Sequence, residues 1–161
     1  MLISVKAILL VLVANSAPIL IRQLPFLDKF TYPLDFGVRF VDGRPLLGQT
    51  KTWRGVIAAV LATTLCSVVI QTGWVAGFVV ACLAMMGDSL SSFIKRRLAM
   101  APSAMAIGLD QIPESLLPLI CLHYLWQLGW QEVGILMLLF VVLELVLSRL
   151  LFYLHIRKRP Y

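Results

Sequence analysis

The chemistry in this chain centres on Gly87-Asp88-Ser89-Leu90-Ser91-Ser92-Phe93-Ile94-Lys95-Arg96-Arg97. If this stretch is helical, Asp88, Ser92 and Lys95 fall at i, i+4 and i+7 and share one face. That face offers a possible metal ligand, a hydroxyl and an ammonium. Two other polar segments carry matching groups. Lys51, Thr52 and Arg54 stand in one, Asp110 and Glu114 in the other. Carboxylates hold Mg²⁺ through one or two ligands, and substrate phosphates complete its octahedron. Lysine and arginine neutralise the remaining phosphate charge. Asp88, Asp110 and Glu114 with Lys51, Arg54, Lys95, Arg96 and Arg97 are therefore equipment for phosphoryl or nucleotidyl transfer. Catalysis there is mainly positioning and electrostatic stabilisation.

Each group also has a plainer explanation. Lys95-Arg96-Arg97 at a cytoplasmic helix end would follow from the positive-inside rule alone. Asp88 interrupts an apolar run, where a charge at the bilayer centre costs ~2.5–3.5 kcal/mol on insertion scales. A salt bridge to a nearby lysine or arginine would account for it. Asp110 to Glu114 could be a helix start, with Pro113 in the first turn and Glu114 favourable to the dipole.

The elements that must position these groups are read from composition. The chain has 161 residues, 60% hydrophobic and 14% charged, with a mean hydropathy of +0.92. Soluble domains are about half apolar and a quarter charged. This is the composition of one all-α integral membrane domain over residues 1–161. The net charge of +6 and pI near 9.6 point to anionic headgroups or phosphates rather than nucleic acid, because the cations cluster between apolar runs. Cys66, Cys82 and Cys121 lie in apolar runs and read as packing residues, not a zinc site or disulfide framework. The first apolar run lacks a basic start and a small-residue cleavage site, and reads as a retained helix.

Five spans are expected, near 2–21, 55–72, 74–94, 115–129 and 131–156, a crossing needing ~20 residues. The first contains Pro18, which frees a carbonyl, and Asn15, which either packs helices or faces a polar cavity. Loop 22–54 has too many prolines and glycines for a long helix. Its aromatics argue against disorder. Loop 95–114 follows the third span. Residues 104–109 are expected as a helical lead-in to the fourth span, kinked at Pro113. Twelve of the fourteen basic residues fall in these loops and the tail Arg157-Lys158-Arg159, on one side. The positive-inside rule then puts the N-terminus outside and the C-terminus and both long loops in the cytoplasm.

The remaining polar residues in spans are less informative. Glu144 is expected to hydrogen-bond another helix, or to belong to a polar pathway. His123 and His155 are expected to pack or sit at the interface, as are Tyr124, Trp126, Trp130 and Tyr153. Glycine-rich P-loop, nucleophile-elbow and zinc-protease motifs are missing from the sequence, which gives ATPase, serine hydrolase and zinc protease readings no support.

Two segments resemble a known family. Gly48-Gln49-Thr50-Lys51-Thr52-Trp53-Arg54-Gly55 resembles a Gly-x-x-Lys-Thr-Trp-Arg-Gly signature of the CDP-archaeol synthases. Pro33-Leu34-Asp35-Phe36-Gly37 and Asp42-Gly43-Arg44-Pro45 resemble the stretch upstream of it, and Gly87-Asp88 through Arg97 resembles the second signature. That family is related to the CTP:phosphatidate cytidylyltransferases. The resemblance implies a Mg²⁺-dependent reaction of CTP with a lipid phosphate, giving CDP-lipid and pyrophosphate. It implies Asp88 and Asp110 as metal holders, with Glu114 a further candidate, and Lys51, Arg54, Lys95 and Arg96 on the phosphates, supported by Ser92. Thr52 and Arg97 fall within the two signatures. Membrane lipids are the other expected partners, with a homodimer as a possible assembly. The chain departs from the family where Asp-Gln-x-Asp is replaced by Asp110-Gln111-Ile112-Pro113, leaving Glu114 one residue late. A competing reading is a small transporter or a lipid-recruiting subunit, in which Lys51 and Trp53 would be freely replaceable.

Overall fold

The computed structural model describes residues 2–24, 31–101, 104 and 106–154. Five helices follow in order: α1 (Leu2–Ile21), α2 (Trp53–Val69), α3 (Trp74–Arg97), α4 (Gln111–Trp126) and α5 (Trp130–Tyr153). By length and hydropathy α1, α3 and α5 can cross a membrane. At 17 and 16 residues, α2 and α4 are shorter than the ~20 that a perpendicular crossing takes. His155 and the basic tail lie outside the described residues.

The helices are patterned inside out. On α2, Ile57, Leu61 and Leu65 form an exposed stripe, while Gly55, Ala59, Thr63 and Ser67 are buried at the same four-residue spacing. Small buried residues let backbones approach, which is how helices associate where lipid removes the hydrophobic driving force. Gly77 shows how close the approach is. A Cβ there would stand 2.2 Å from Ser67 Oγ and 2.6 Å from the Thr63 carbonyl. α3 is the central element, packing against α1, α2 and α4.

One core joins Ala7, Leu10 and Val11 of α1, Val80 of α3, Leu119 and Leu122 of α4, and Leu136 and Phe140 of α5. A second, smaller one joins Ala14, Ala59, Ala84 and Met85. Tyr124, Trp130 and Tyr153 are exposed, and His123 stacks on Tyr124 and Trp130 with centroids 4.8 and 4.0 Å away. That agrees with a packing role for His123.

The described part of the first long loop, 31–52, is ordered without regular structure. Asp35 is its anchor: its carboxylate accepts the amides of Gly37, Leu47 and Gly48 at 3.0, 2.8 and 3.0 Å. Gly37 and Gly48 have φ of +78° and +94°, the left-handed region in which a Cβ is strained. The far end of the loop is held by Arg97. It pairs with Asp42 at 2.6 Å, donates to the Pro45 carbonyl at 2.5 Å and lies over Phe40 and Phe93.

The expected helical lead-in over 104–109 is not formed among its described residues. Gly108 takes φ +84°, and residues 107–110 make a turn closed by the Asp110 amide on the Ala106 carbonyl at 3.0 Å. α4 starts at Gln111, so Pro113 stands in its first turn, where the missing N–H has no intrahelical role.

Candidate active site

Asp88 and Lys95 stand almost two turns apart on one face of α3, and each meets a residue from a different loop. Lys51 Nζ lies 2.5 Å from Asp88 Oδ1. Lys95 Nζ lies 2.6 Å from Asp110 Oδ1 and 3.2 Å from the Ala104 carbonyl. The helix thus contributes one acid and one base, and the loops return the opposite charges. Thr52 holds Lys51's segment by capping α2: its Oγ1 accepts the Gly55 amide at 3.3 Å. Asp110 occupies the N-cap position of α4 without capping it. Its other oxygen accepts the Ala106 amide at 3.1 Å.

These side chains line a cavity of about 690 Å³, within the range of small-molecule sites. Lys51, Thr52, Asp88, Ser92, Lys95, Arg96, Asp110 and Glu114 all contribute to its wall. Ser92 is buried one turn from Asp88, and Arg96 donates to the Ala101 carbonyl at 3.0 Å. Two expected site residues lie elsewhere. Arg54 is in the first turn of α2 and Arg97 clamps the first loop; neither lines the cavity. The salt bridge considered for Asp88 is present, but with Lys51, itself a wall residue.

The cavity also holds residues that the sequence placed less firmly. Asn15 does line it, and its amide donates to the Val11 carbonyl at 2.9 Å. Arg22 at the end of α1 reaches the Thr50 carbonyl. Glu144 lines the wall from α5, and Gln111 from α4. An ionisable residue inside an apolar span was the available signal for Glu144. Arg22 had none beyond its position at a helix end.

At the departure from the family pattern, Glu114 rather than Pro113 lines the cavity. Its side chain is buried, 6% exposed. Gly87 makes that geometry possible: a Cβ there would stand 2.2 Å from the Pro113 carbonyl oxygen and 2.6 Å from the Glu114 amide nitrogen. The start of α4 rests directly on the backbone next to Asp88.

The donor set suits a hard cation. All the acidic groups are oxygen donors on one polar wall, beside cations that would take phosphate oxygens. Asp88, Asp110 and Glu114 do not converge as a ready three-ligand cluster, and no such cluster occurs among the described residues. Mg²⁺ does not require one, since phosphates and water supply most of its shell in nucleotide sites.

The family model for CDP-archaeol synthase, described as CarS-like, matches residues 2–161. The chain belongs to the CDP-archaeol synthase family. A CDP-archaeol synthase from Sulfurisphaera tokodaii is 42% identical over 106 residues, covering 63% of this chain and 60% of that protein. One from Hyperthermus butylicus is 37% identical over 115 residues, covering 68% and 65%. The matched region is less than two thirds of either relative's length. A solved structure described as an intramembrane enzyme for archaeal membrane lipids biosynthesis aligns with a TM-score of 0.74 at 25% identity. It covers 89% of this chain and 91% of that one. With three apolar helices of spanning length, this CDP-archaeol synthase family member is a membrane protein.

The anchor of the first loop yields a test. Burial raises the Asp35 carboxyl, but the amides of Leu47, Gly48 and Gly37 outweigh it and hold the pKa below the usual 3.8. A depressed folded-state pKa contributes stability above the unfolded value, lost as pH falls through the folded one. Asp35→Asn is therefore expected to lower stability by about 1–3 kcal/mol at neutral pH. The deficit relative to wild type should shrink below pH 3.8. Thermal unfolding in detergent across pH measures both, and a pH-independent deficit would contradict the anchoring.

Proposed function

We propose that this protein is a CTP-dependent cytidylyltransferase that converts a membrane lipid phosphate into a CDP-activated lipid plus pyrophosphate, for phospholipid biosynthesis. Family membership supports the reaction class. The observation that carries it is the pair of Lys–Asp contacts on one face of α3, both on the wall of one cavity. The relatives are CDP-archaeol synthases, which favours an archaeol-type lipid phosphate as acceptor. The five-span arrangement is part of this reading, with the N-terminus outside and the cavity and C-terminus on the cytoplasmic side, where CTP is made.

A lipid phosphate oxygen attacks the α-phosphorus of CTP. The new O–P bond forms as the bond from that phosphorus to the bridging oxygen of the leaving pyrophosphate breaks. Negative charge grows on the leaving group, and fixed cations stabilise it more than they stabilise the ground state. Lys51, Lys95 and Arg96 supply that charge, arriving from a loop and from α3. Ser92 offers a hydroxyl between them. Asp88 and Asp110 would hold Mg²⁺, which would neutralise phosphate charge. Before substrate binds, the same two carboxylates keep Lys51 and Lys95 extended into the cavity, so little reorganisation is left for the reaction.

The test is incorporation of labelled CTP into lipid by the purified protein with Mg²⁺ and archaeol-type or diacylglycerol-type phosphates. Incorporation with neither lipid, together with no CTP binding by calorimetry, would overturn the proposal. Lys51→Met is expected to reduce incorporation by about 10²-fold, the loss typical of removing one stabilising group from a transition state. Unchanged turnover would instead favour a transporter or lipid-recruiting subunit.

A further inference from the structure

The first loop turns an apolar surface outward beside the start of α2. Trp53, Ile57, Leu61 and Leu65 are exposed at four-residue spacing along that helix. α2 runs beside α1, which is long and apolar enough to span, with Ala59 and Ala14 in one core and Gly55 against Pro18. The stripe from Ile57 to Leu65 therefore lies at hydrocarbon depth. Trp53 is two residues before Gly55 and Ile21 is three after Pro18, so the two helices end at one level, ~3–5 Å beyond that contact. Tryptophan and tyrosine are enriched at the same level in membrane proteins. The stripe does not stop at Trp53. The Phe36 ring stands with its centroid 6.2 Å from that of Trp53 and is 74% exposed, and Tyr32 is 62% exposed.

Phe36 is held there under strain. Its φ is +50°, a left-handed conformation that is an outlier for a bulky residue. The Asp35 carboxylate fixes the turn by accepting the Gly37, Leu47 and Gly48 amides. Strain of this kind persists only where the surroundings impose it, and it points to a use for the exposed ring. The same segment is tied to the candidate active site. The Leu34 amide donates to the Lys51 carbonyl at 2.8 Å, and the Trp53 amide donates to the Tyr32 carbonyl at 3.1 Å. Lys51, whose Nζ meets Asp88, is thus bonded through its backbone to the segment that carries the aromatic patch.

We propose that Tyr32, Phe36 and Trp53 form an interfacial anchor, seated where the headgroups of the surrounding bilayer meet its hydrocarbon, and that it fixes the Lys51 segment at the depth of the lipid phosphates. The occupant of the patch is the lipid surface, because the patch continues the outward stripe of α2 and its rings suit that boundary. The anchor rests on packing and exposure. Its effect on turnover rests on the cytidylyltransferase reading.

The experiment uses the full chain in phospholipid nanodiscs. A nitroxide is placed through Phe36→Cys, Leu61→Cys or Gln49→Cys, one at a time, with Cys66, Cys82 and Cys121 replaced by alanine. Leu61 is the hydrocarbon reference, and Gln49, exposed in the loop, is the aqueous one. Collisions with oxygen, which concentrates in hydrocarbon, are compared with collisions with a water-soluble nickel chelate. The label at position 36 is expected to be shielded from the chelate and to approach the behaviour at position 61. Exposure to the chelate equal to that at position 49 would overturn the anchor. Dipolar broadening between labels at position 36 would mean that a second copy covers the patch, and would overturn it too. Phe36→Asn removes the ring and suits a positive φ, so the thermal midpoint should hold. It is expected to raise KM for a bilayer-embedded lipid phosphate by about tenfold. KM for a short-chain, water-soluble lipid phosphate in detergent should stay unchanged, and Phe36→Trp should behave as wild type. An equal rise for both substrates, or none, would overturn the positioning role. A shielded position 36 in a protein that incorporates no CTP would overturn the nucleotide reading and leave the anchor supported.

Discussion

Asp88→Asn is expected to cut CTP incorporation by about 10²-fold or more while the helical bundle stays folded. The amide has nearly the same shape, so α3 keeps its packing. What disappears is the negative charge that holds Lys51 at 2.5 Å and that would bind a cation. The stability cost should be small. The two side chains remain 21% and 25% exposed, and such solvent-screened pairs contribute ~0.2–1 kcal/mol. A large activity loss with a small shift in thermal midpoint thus separates chemistry from folding. The charge-swapped double variant Lys51→Asp with Asp88→Lys sharpens this. It restores an ion pair and should restore stability, but not turnover, because the cation and the carboxylate have exchanged sides. Substantial activity in either protein would remove Asp88 from the reaction.

Gly87→Ala carries the second large effect, on geometry rather than charge. A methyl group at Gly87 would stand 2.2 Å from the Pro113 oxygen, 2.4 Å from its carbonyl carbon and 2.6 Å from the Glu114 nitrogen. These are backbone atoms in the first turn of a helix, with no rotamer through which to yield. α4 must move away from α3, and overpacking of this kind costs about 1–3 kcal/mol. Asp110 and Glu114 move with it, away from Lys95 and Asp88. Thermal unfolding should show the destabilisation, and calorimetry should show weakened CTP binding. A Gly87→Ala protein with the wild-type midpoint and affinity would mean that the contact between α3 and α4 tolerates separation.

Much of the fold was legible in the residues. The five apolar runs became five helices because their hydropathy outlasts any turn signal inside them. Boundaries moved where local chemistry outweighed pattern. Trp53 and Arg54 joined α2 because Thr52 caps it, and α3 ran on through Arg97. Residues 104 and 106–109 read as helical from composition, yet Gly108 at positive φ and the Asp110 side chain make a turn there. The face of α3 was legible too, since the helical period alone brings Asp88, Ser92 and Lys95 together.

The chemistry of the site was legible as a set of residue types, not as a set of pairs. Lys51 and Asp88 are 37 positions apart, and no local period links them. Arg97 stands next to Arg96 in one basic run, yet it faces Asp42 and Phe40, while Arg96 faces the cavity. Adjacent helical residues point about 100° apart, so a run of three cations is divided between two tasks. Glu114 and Pro113 show the same effect in reverse. The position that the family pattern marks turns away, and its neighbour lines the cavity.

By itself, then, the sequence determined a helical membrane chain, the family signatures and the kinds of group available for phosphate chemistry. These depend on hydropathy, on helical period and on residue type, all local properties. Only the tertiary structure decided which cation meets which carboxylate, and that Glu144 shares their cavity. Those outcomes depend on how closely helices can approach. Small contacts such as Gly87 on Pro113 and Gly77 on Ser67 set that distance, and neither partner can be identified from its own stretch of chain.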